Sequence, residues 1–155
     1  MHRPAANPQD VPTTVEQLLA AARATLQRLS PEEAHAALRG GAQLVDIRSD
    51  AQHLADGIIP GAHIVARNVL EWRLDPACPH RDAELTRGDA PLVLICDEGF
   101  QSSLAAATVR RFGQRRVTDV IGGFRAWRTA GLPVELRRST EQAMRAIAGP
   151  CGPVE

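Results

Sequence analysis

Cys96 follows the apolar run Leu92-Val93-Leu94-Ile95 and precedes Asp97, Glu98, Gly99, Phe100, Gln101, Ser102 and Ser103. Such a run, bounded by Pro91 and a polar loop, reads as a buried strand of a parallel sheet. After the loop, Ser102 or Ser103 is expected to cap a helix over 104–112 that stops at Gly113. A thiol between a strand's carboxyl end and a helix's amino end faces unpaired N–H groups and a partial positive charge, which favour an anion. It loses its proton more easily there, and the thiolate is the nucleophile. Gly99 lets the loop curl with positive φ, so that successive N–H groups converge on the sulfur or on a group attached to it. The competing reading is an inert core thiol, since free cysteine is among the most buried residue types.

Other candidates are fewer. Arg48 emerges on the same edge as Cys96 if their strands are parallel, and Arg67 and Arg73 flank that edge; for each the competing reading is a surface arginine, where charge pairs are weak. There is no lysine among the 18 basic residues, which removes Schiff-base chemistry. Cys78, Cys96 and Cys151 cannot all pair and none has Cys-x-x-Cys spacing, so neither a disulfide framework nor a zinc site is expected. Cys78 with His80 supplies too few ligands for a metal, and no cofactor is needed.

The elements that position these residues alternate along the chain. A lead over 1–12 with three prolines is expected to be disordered, and an amphipathic helix follows over 13–29. Ser30, Pro31 and Glu33 mark a second helix start. Strands are expected at 43–48, 63–65, 92–95 and 115–120. Between them come a short helix over 49–55, a turn over 57–62, a helix over 69–74 capped by Asn68, and a long surface loop over 75–90 with one helical turn near Ala83. Trp72 reads as core or lid. A helix over 124–129 stops at Gly131, and a terminal helix over 140–148 carries a flexible tail. Alternating strands and helices imply an α/β fold with a parallel sheet covered on both faces, whose ligands bind at the strands' carboxyl ends.

At 155 residues the chain suits one domain, and zero formal net charge gives no pull toward nucleic acid or a membrane surface. No apolar run is long enough to span a bilayer, and 1–12 lacks a secretory signal's apolar segment, so a cytoplasmic protein is expected.

Four ordered segments resemble the rhodanese-like domain: Asp46-Ile47-Arg48, Gly57 to Ala62, Cys96 to Ser102, and Gly122-Gly123-Phe124-Arg125-Ala126-Trp127 followed by Ala130 to Val134. The resemblance covers about 30–134. It implies a five-stranded parallel sheet between helices, here with an added N-terminal helix, and a cysteine that carries a persulfide. The activity implied is transfer of sulfane sulfur from a thiosulfate-like, mercaptopyruvate-like or persulfide donor, small molecule or protein, to a thiophilic acceptor. Cys96 is then the nucleophile, and residues 97–102 with Arg48, Arg67 and Arg73 the donor site. Ile58 replaces the family's usual histidine, and Gln101 and Ser102 stand where many active members have arginine or threonine. Asp97 and Glu98 oppose an anionic donor unless their side chains reach solvent.

A phosphatase or arsenate reductase on a similar cradle needs an arginine near the loop's end, and Ser102 is the sixth residue after Cys96. The alternative function is a non-catalytic rhodanese-like module for binding or redox sensing. The 13–29 helix is expected either to cover the domain's own sheet or to pair two copies as a homodimer.

Overall fold

A computed structural model describes residues 13–137 of the chain. Its centre is the strand β3 (Leu92–Ile95), buried along its whole length. Side chains alternate across a strand. Leu92, Leu94 and Cys96 therefore join one hydrophobic cluster, with Leu70, Leu74, Ala105 and Val109, while Val93 and Ile95 join the other, with Phe124 and Trp127. Two apolar faces on one strand oblige helices to cover both sides.

Beside β3 lie β1 (Gln43–Asp46) and β4 (Val117–Asp119), with β2 (His63–Ile64) beyond β1; all pair in parallel, in the order β2-β1-β3-β4. The sheet has four strands among the described residues, which corrects the five implied by resemblance. What lies beyond β4 is one parallel bridge from Leu29 to Val120. It cannot lengthen, because Ser30 already caps the next helix and Pro31 has no N–H to give a ladder.

The helices are α1 (Val15–Arg23), α2 (Pro31–Arg39), α3 (Asp50–Asp56), α4 (Leu70–Leu74), α5 (Ala83–Thr86), α6 (Gln101–Arg110) and α7 (Gly123–Thr129). Thr14, Ser30 and Ser49 each form a capping box with the residue three places on. Three expectations change. The helix expected over 13–29 ends at Arg23, where Thr25 turns back onto the Ala22 carbonyl and Leu29 is drawn to β4. Asn68 lies inside a 3-10 turn (Arg67–Val69) rather than capping α4. Ser102 and Ser103 are not caps, for α6 starts at Gln101 and buries both in its first turn. Trp72 is 57% exposed and so is not core.

α1 lies against α6. It buries Ala22 and leaves Val15 and Leu18 exposed. Past Trp127, Glu135 exchanges two backbone hydrogen bonds with Ile58. The expected lead over 1–12 and the terminal helix over 140–148 lie outside the described residues. Among the described residues no helix is long and apolar enough to cross a membrane, and no group of three His, Cys, Asp or Glu side chains is placed to hold a metal.

Candidate active site

The parallel register brings the ends of β1 and β3 together, so Asp46 is opposite Ile95 and Cys96 opens onto the sheet's carboxyl edge. Cys96 as a whole residue is 4% exposed. The N–H groups of Gly99 and Ser102 donate to Sγ at 3.2 and 3.3 Å, and the thiol donates to Ser102 Oγ at 3.2 Å. Three polar groups thus surround the sulfur at the amino end of α6. That environment stabilises negative charge on it.

Two glycines make the loop possible. Gly99 has φ +81°, and a Cβ there would lie 2.8 Å from the Gly122 nitrogen. Gly123 has φ +60°, and a Cβ there would lie 2.5 Å from the Cys96 carbonyl oxygen. This close approach lets α7 donate Phe124 N–H to the Cys96 carbonyl at 2.8 Å and Arg125 N–H to that of Asp97 at 3.0 Å. The backbone of the loop is clamped between two helix amino ends.

A cleft of about 610 Å³ lies over the sulfur. Of the residues expected at the site, Cys96, Asp97, Glu98, Phe100, Gln101, Arg48 and Arg67 line it. Gly99 and Ser102 sit beneath, on the sulfur itself. Arg73 is not brought in. Its guanidinium donates to the His80 carbonyl at 3.0 Å and anchors the loop after α4.

Arg48 is 3% exposed, donates to Asp46 and to the Gly57 carbonyl, and stacks 3.5 Å above the Phe124 ring. Only its Nη1 has no partner among the described residues. Arg67 pairs with Glu71 at 2.8 Å.

The residue that sequence reasoning missed is Arg125. It holds Asp97 at 2.8 Å and Glu98 at 2.7 Å and also lines the cleft. Its place in the Gly-Gly-Phe-Arg segment is plain in the sequence, yet 28 residues separate it from Asp97, and only the fold makes them neighbours. Ser49, Gln52 and Asn68, likewise unforeseen as site residues, complete a polar wall.

Known proteins resemble this chain in sequence and in overall fold. A family model described as the rhodanese-like domain matches residues 30–130. The thiosulfate sulfurtransferase GlpE of Pseudomonas paraeruginosa is 40% identical over 106 residues, 68% of this chain and 86% of the relative. A Rhodopseudomonas palustris protein of unknown function, described as a possible tyrosine phosphatase, is 33% identical with TM-score 0.75, covering 84% of this chain and all of that one. The polysulfide-sulfur transferase homodimer of Wolinella succinogenes is 25% identical with TM-score 0.60, covering 79% of this chain and 87% of that one. Motifs, fold and family model together assign this chain to the rhodanese-like domain family.

Proposed function

We propose that this chain is a sulfurtransferase that carries sulfane sulfur on Cys96. The observation that carries the reading is the convergence of two backbone N–H groups and the Ser102 hydroxyl on Sγ, all within 3.3 Å, beneath an open cleft. Such a cradle serves an anion on sulfur in both halves of a double displacement. With thiosulfate, the Cys96 thiolate attacks the outer sulfur, the S–S bond of the donor breaks, and sulfite leaves with the electron pair. Cyanide, or a thiolate in the cell, then attacks the outer sulfur of the persulfide. The electron pair returns to Cys96, and the product is thiocyanate or a new persulfide.

The cleft also bears on the donor. Arg48, Arg67 and Arg125 already face carboxylates, so none is left wholly free for a dianion. Arg67, about one-third exposed at its side chain, is the cleft-lining group offered to a donor's carboxylate or sulfonate, whereas the Arg48 side chain is fully buried. A volume of about 610 Å³ lies within the range of small-molecule pockets and exceeds what thiosulfate fills. These features favour a persulfide or polysulfide donor, with thiosulfate as a slower substitute. A free thiol at Cys96 and another at Cys78 suit a reducing, cytoplasmic setting.

A phosphatase reading of the same loop is less well supported. Ser102 occupies the position where that chemistry needs a guanidinium, and the loop carries the carboxylates of Asp97 and Glu98. Hydrolysis of an aryl phosphate is accordingly expected to be undetectable.

The test is intact mass spectrometry of the reduced protein after incubation with thiosulfate, 3-mercaptopyruvate or glutathione persulfide, alongside Cys96→Ser. The wild type should gain one sulfur atom that cyanide discharges, and the variant none. If no donor adds sulfur at Cys96, the sulfur-transfer reading fails and a binding or redox-sensing module takes its place.

A further inference from the structure

Two arginines reach the sulfur loop from a segment that precedes the family match, which begins at residue 30. Arg23 closes α1. Its Nη2 donates to the Gly99 carbonyl at 2.8 Å, its Nε to Ser103 Oγ at 3.2 Å, and its guanidinium stands 5.6 Å from the Phe100 ring centre. Arg28 is fixed by its neighbour Leu29, whose backbone pairs with Asp119 and Ile121 at the end of β4. Its Nε donates to Asp119 Oδ1 at 2.8 Å, and its Nη2 is shared between Asp119 Oδ2 and the Gly99 carbonyl, each at 3.1 Å.

Asp119 is fully buried, and its Oδ2 also accepts from Ser102 Oγ and Ser103 Oγ, each at 2.8 Å. A chain of contacts therefore runs from Arg28 through Asp119 and Ser102 to Sγ. Ser102 Oγ has a single proton. While Cys96 is a thiol, S–H donates to Oγ and Oγ donates to Asp119. Once the sulfur is an anion there is no S–H, and the hydroxyl proton has two competing acceptors. Asp119 keeps both of its hydrogen bonds from Arg28 whichever way Ser102 turns.

The charges around the sulfur point the same way. Asp46 faces Arg48 and His53, Glu71 faces Arg67, and Asp119 faces Arg28. On the loop, Asp97 and Glu98 share the single charge of Arg125, two negatives against one positive, which leaves one negative charge in excess. Among the described residues no carboxylate lies within ion-pair distance of Arg23. Its charge offsets that excess.

We propose that segment 23–29 completes the sulfur site: Arg28 satisfies Asp119 so that the Ser102 hydroxyl can turn onto the sulfur anion, and Arg23 supplies the loop's unpaired positive charge. Both are positioning residues. The proposal rests on the sulfur-transfer reading only in taking the anion to be the Cys96 thiolate and then its persulfide.

The experiment follows alkylation of Cys96 in the full chain by iodoacetamide, resolved by peptide mass spectrometry across pH. Arg23→Gln and Arg28→Gln should each slow it roughly fivefold at neutral pH, the effect of one unit charge several ångströms away at an intermediate dielectric. The loss should be recovered as pH rises. Adding Asp119→Asn to Arg28→Gln should restore most of the rate, and Arg23→Lys should retain more than Arg23→Gln. Wild-type rates in both glutamine variants, or slow rates that no pH recovers, would overturn the proposal, the latter by showing a distorted loop. If Arg28→Gln alone does not fold, Arg23→Gln and the Arg28→Gln, Asp119→Asn pair decide the matter. Alkylation needs no sulfur donor, so a wild type that alkylates as described yet never gains sulfur would defeat the sulfur-transfer reading and leave the arginine assignment standing.

Discussion

At the scale of single residues, the acidic pair after Cys96 sets the charge at the mouth of the cleft. Asp97 is 19% exposed at its side chain and Glu98 47%, and both lean on Arg125. Because Arg125 itself is 68% exposed, these pairs contribute little to stability, about 0–1 kcal/mol. Their effect is on charge at the cleft mouth. Arg125→Gln should leave the melting temperature nearly unchanged while lowering kcat/KM for thiosulfate several-fold. A neutral acceptor in the second half-reaction should be less affected, and the loss should shrink as ionic strength rises. Steady-state kinetics at low and high salt would check this.

At the scale of elements, the loop's shape depends on α7 as much as on α6. Gly123 sits where a Cβ would meet the backbone of Cys96, Asp97 and Gly99 at 2.5–2.7 Å, none of which is a flexible side-chain end. Gly123→Ala should therefore cost more than the ~1–3 kcal/mol of an unfavourable φ and should abolish persulfide loading. Gly131 provides the contrast. Its φ is +69°, but a Cβ at this position would have nothing within 4 Å, so Gly131→Ala should cost only about 1 kcal/mol and keep activity. Thermal melts of the two variants, with sulfur loading measured in parallel, separate the backbone contact from the dihedral cost.

At the scale of the whole molecule, Arg48 joins three separate segments. It binds Asp46 at the end of β1, the carbonyl of Gly57 after α3, and the face of Phe124 in α7. Both partners of the ion pair have fully buried side chains. Arg48→Ala would leave the buried Asp46 carboxylate without its guanidinium partner, and breaking such a pair typically costs about 3–5 kcal/mol. The expected outcome is a large fall in melting temperature. A Michaelis constant raised several-fold in a protein of unchanged stability would instead mark Arg48 as a donor-binding group.

Much of this is legible in the order of residues, for physical reasons that act locally. Four apolar residues before Cys96 demand a buried strand, Ser30-Pro31-Glu32-Glu33 demands a helix start, and the glycine three places after Cys96 allows the turn that aims N–H groups at sulfur. Such signals need only neighbours in the chain, which is why the strands, several helix starts and a cysteine at a strand end can be read together. The helix expected to run to residue 29 instead stops at Arg23 because the end of β4, far along the chain, claims Leu29. Electrostatic partners are likewise decided by tertiary structure. Arg125 meets Asp97, Arg28 meets Asp119, and Arg23 meets Gly99 only after a parallel sheet brings distant segments to one edge. Local order alone puts Cys96 at a strand end with Gly99 three places on and a helix after it, because each of those signals needs only its neighbours in the chain. Only the folded chain decided which arginines would serve that cradle, because charge acts through space and proximity in space is set by the sheet's topology.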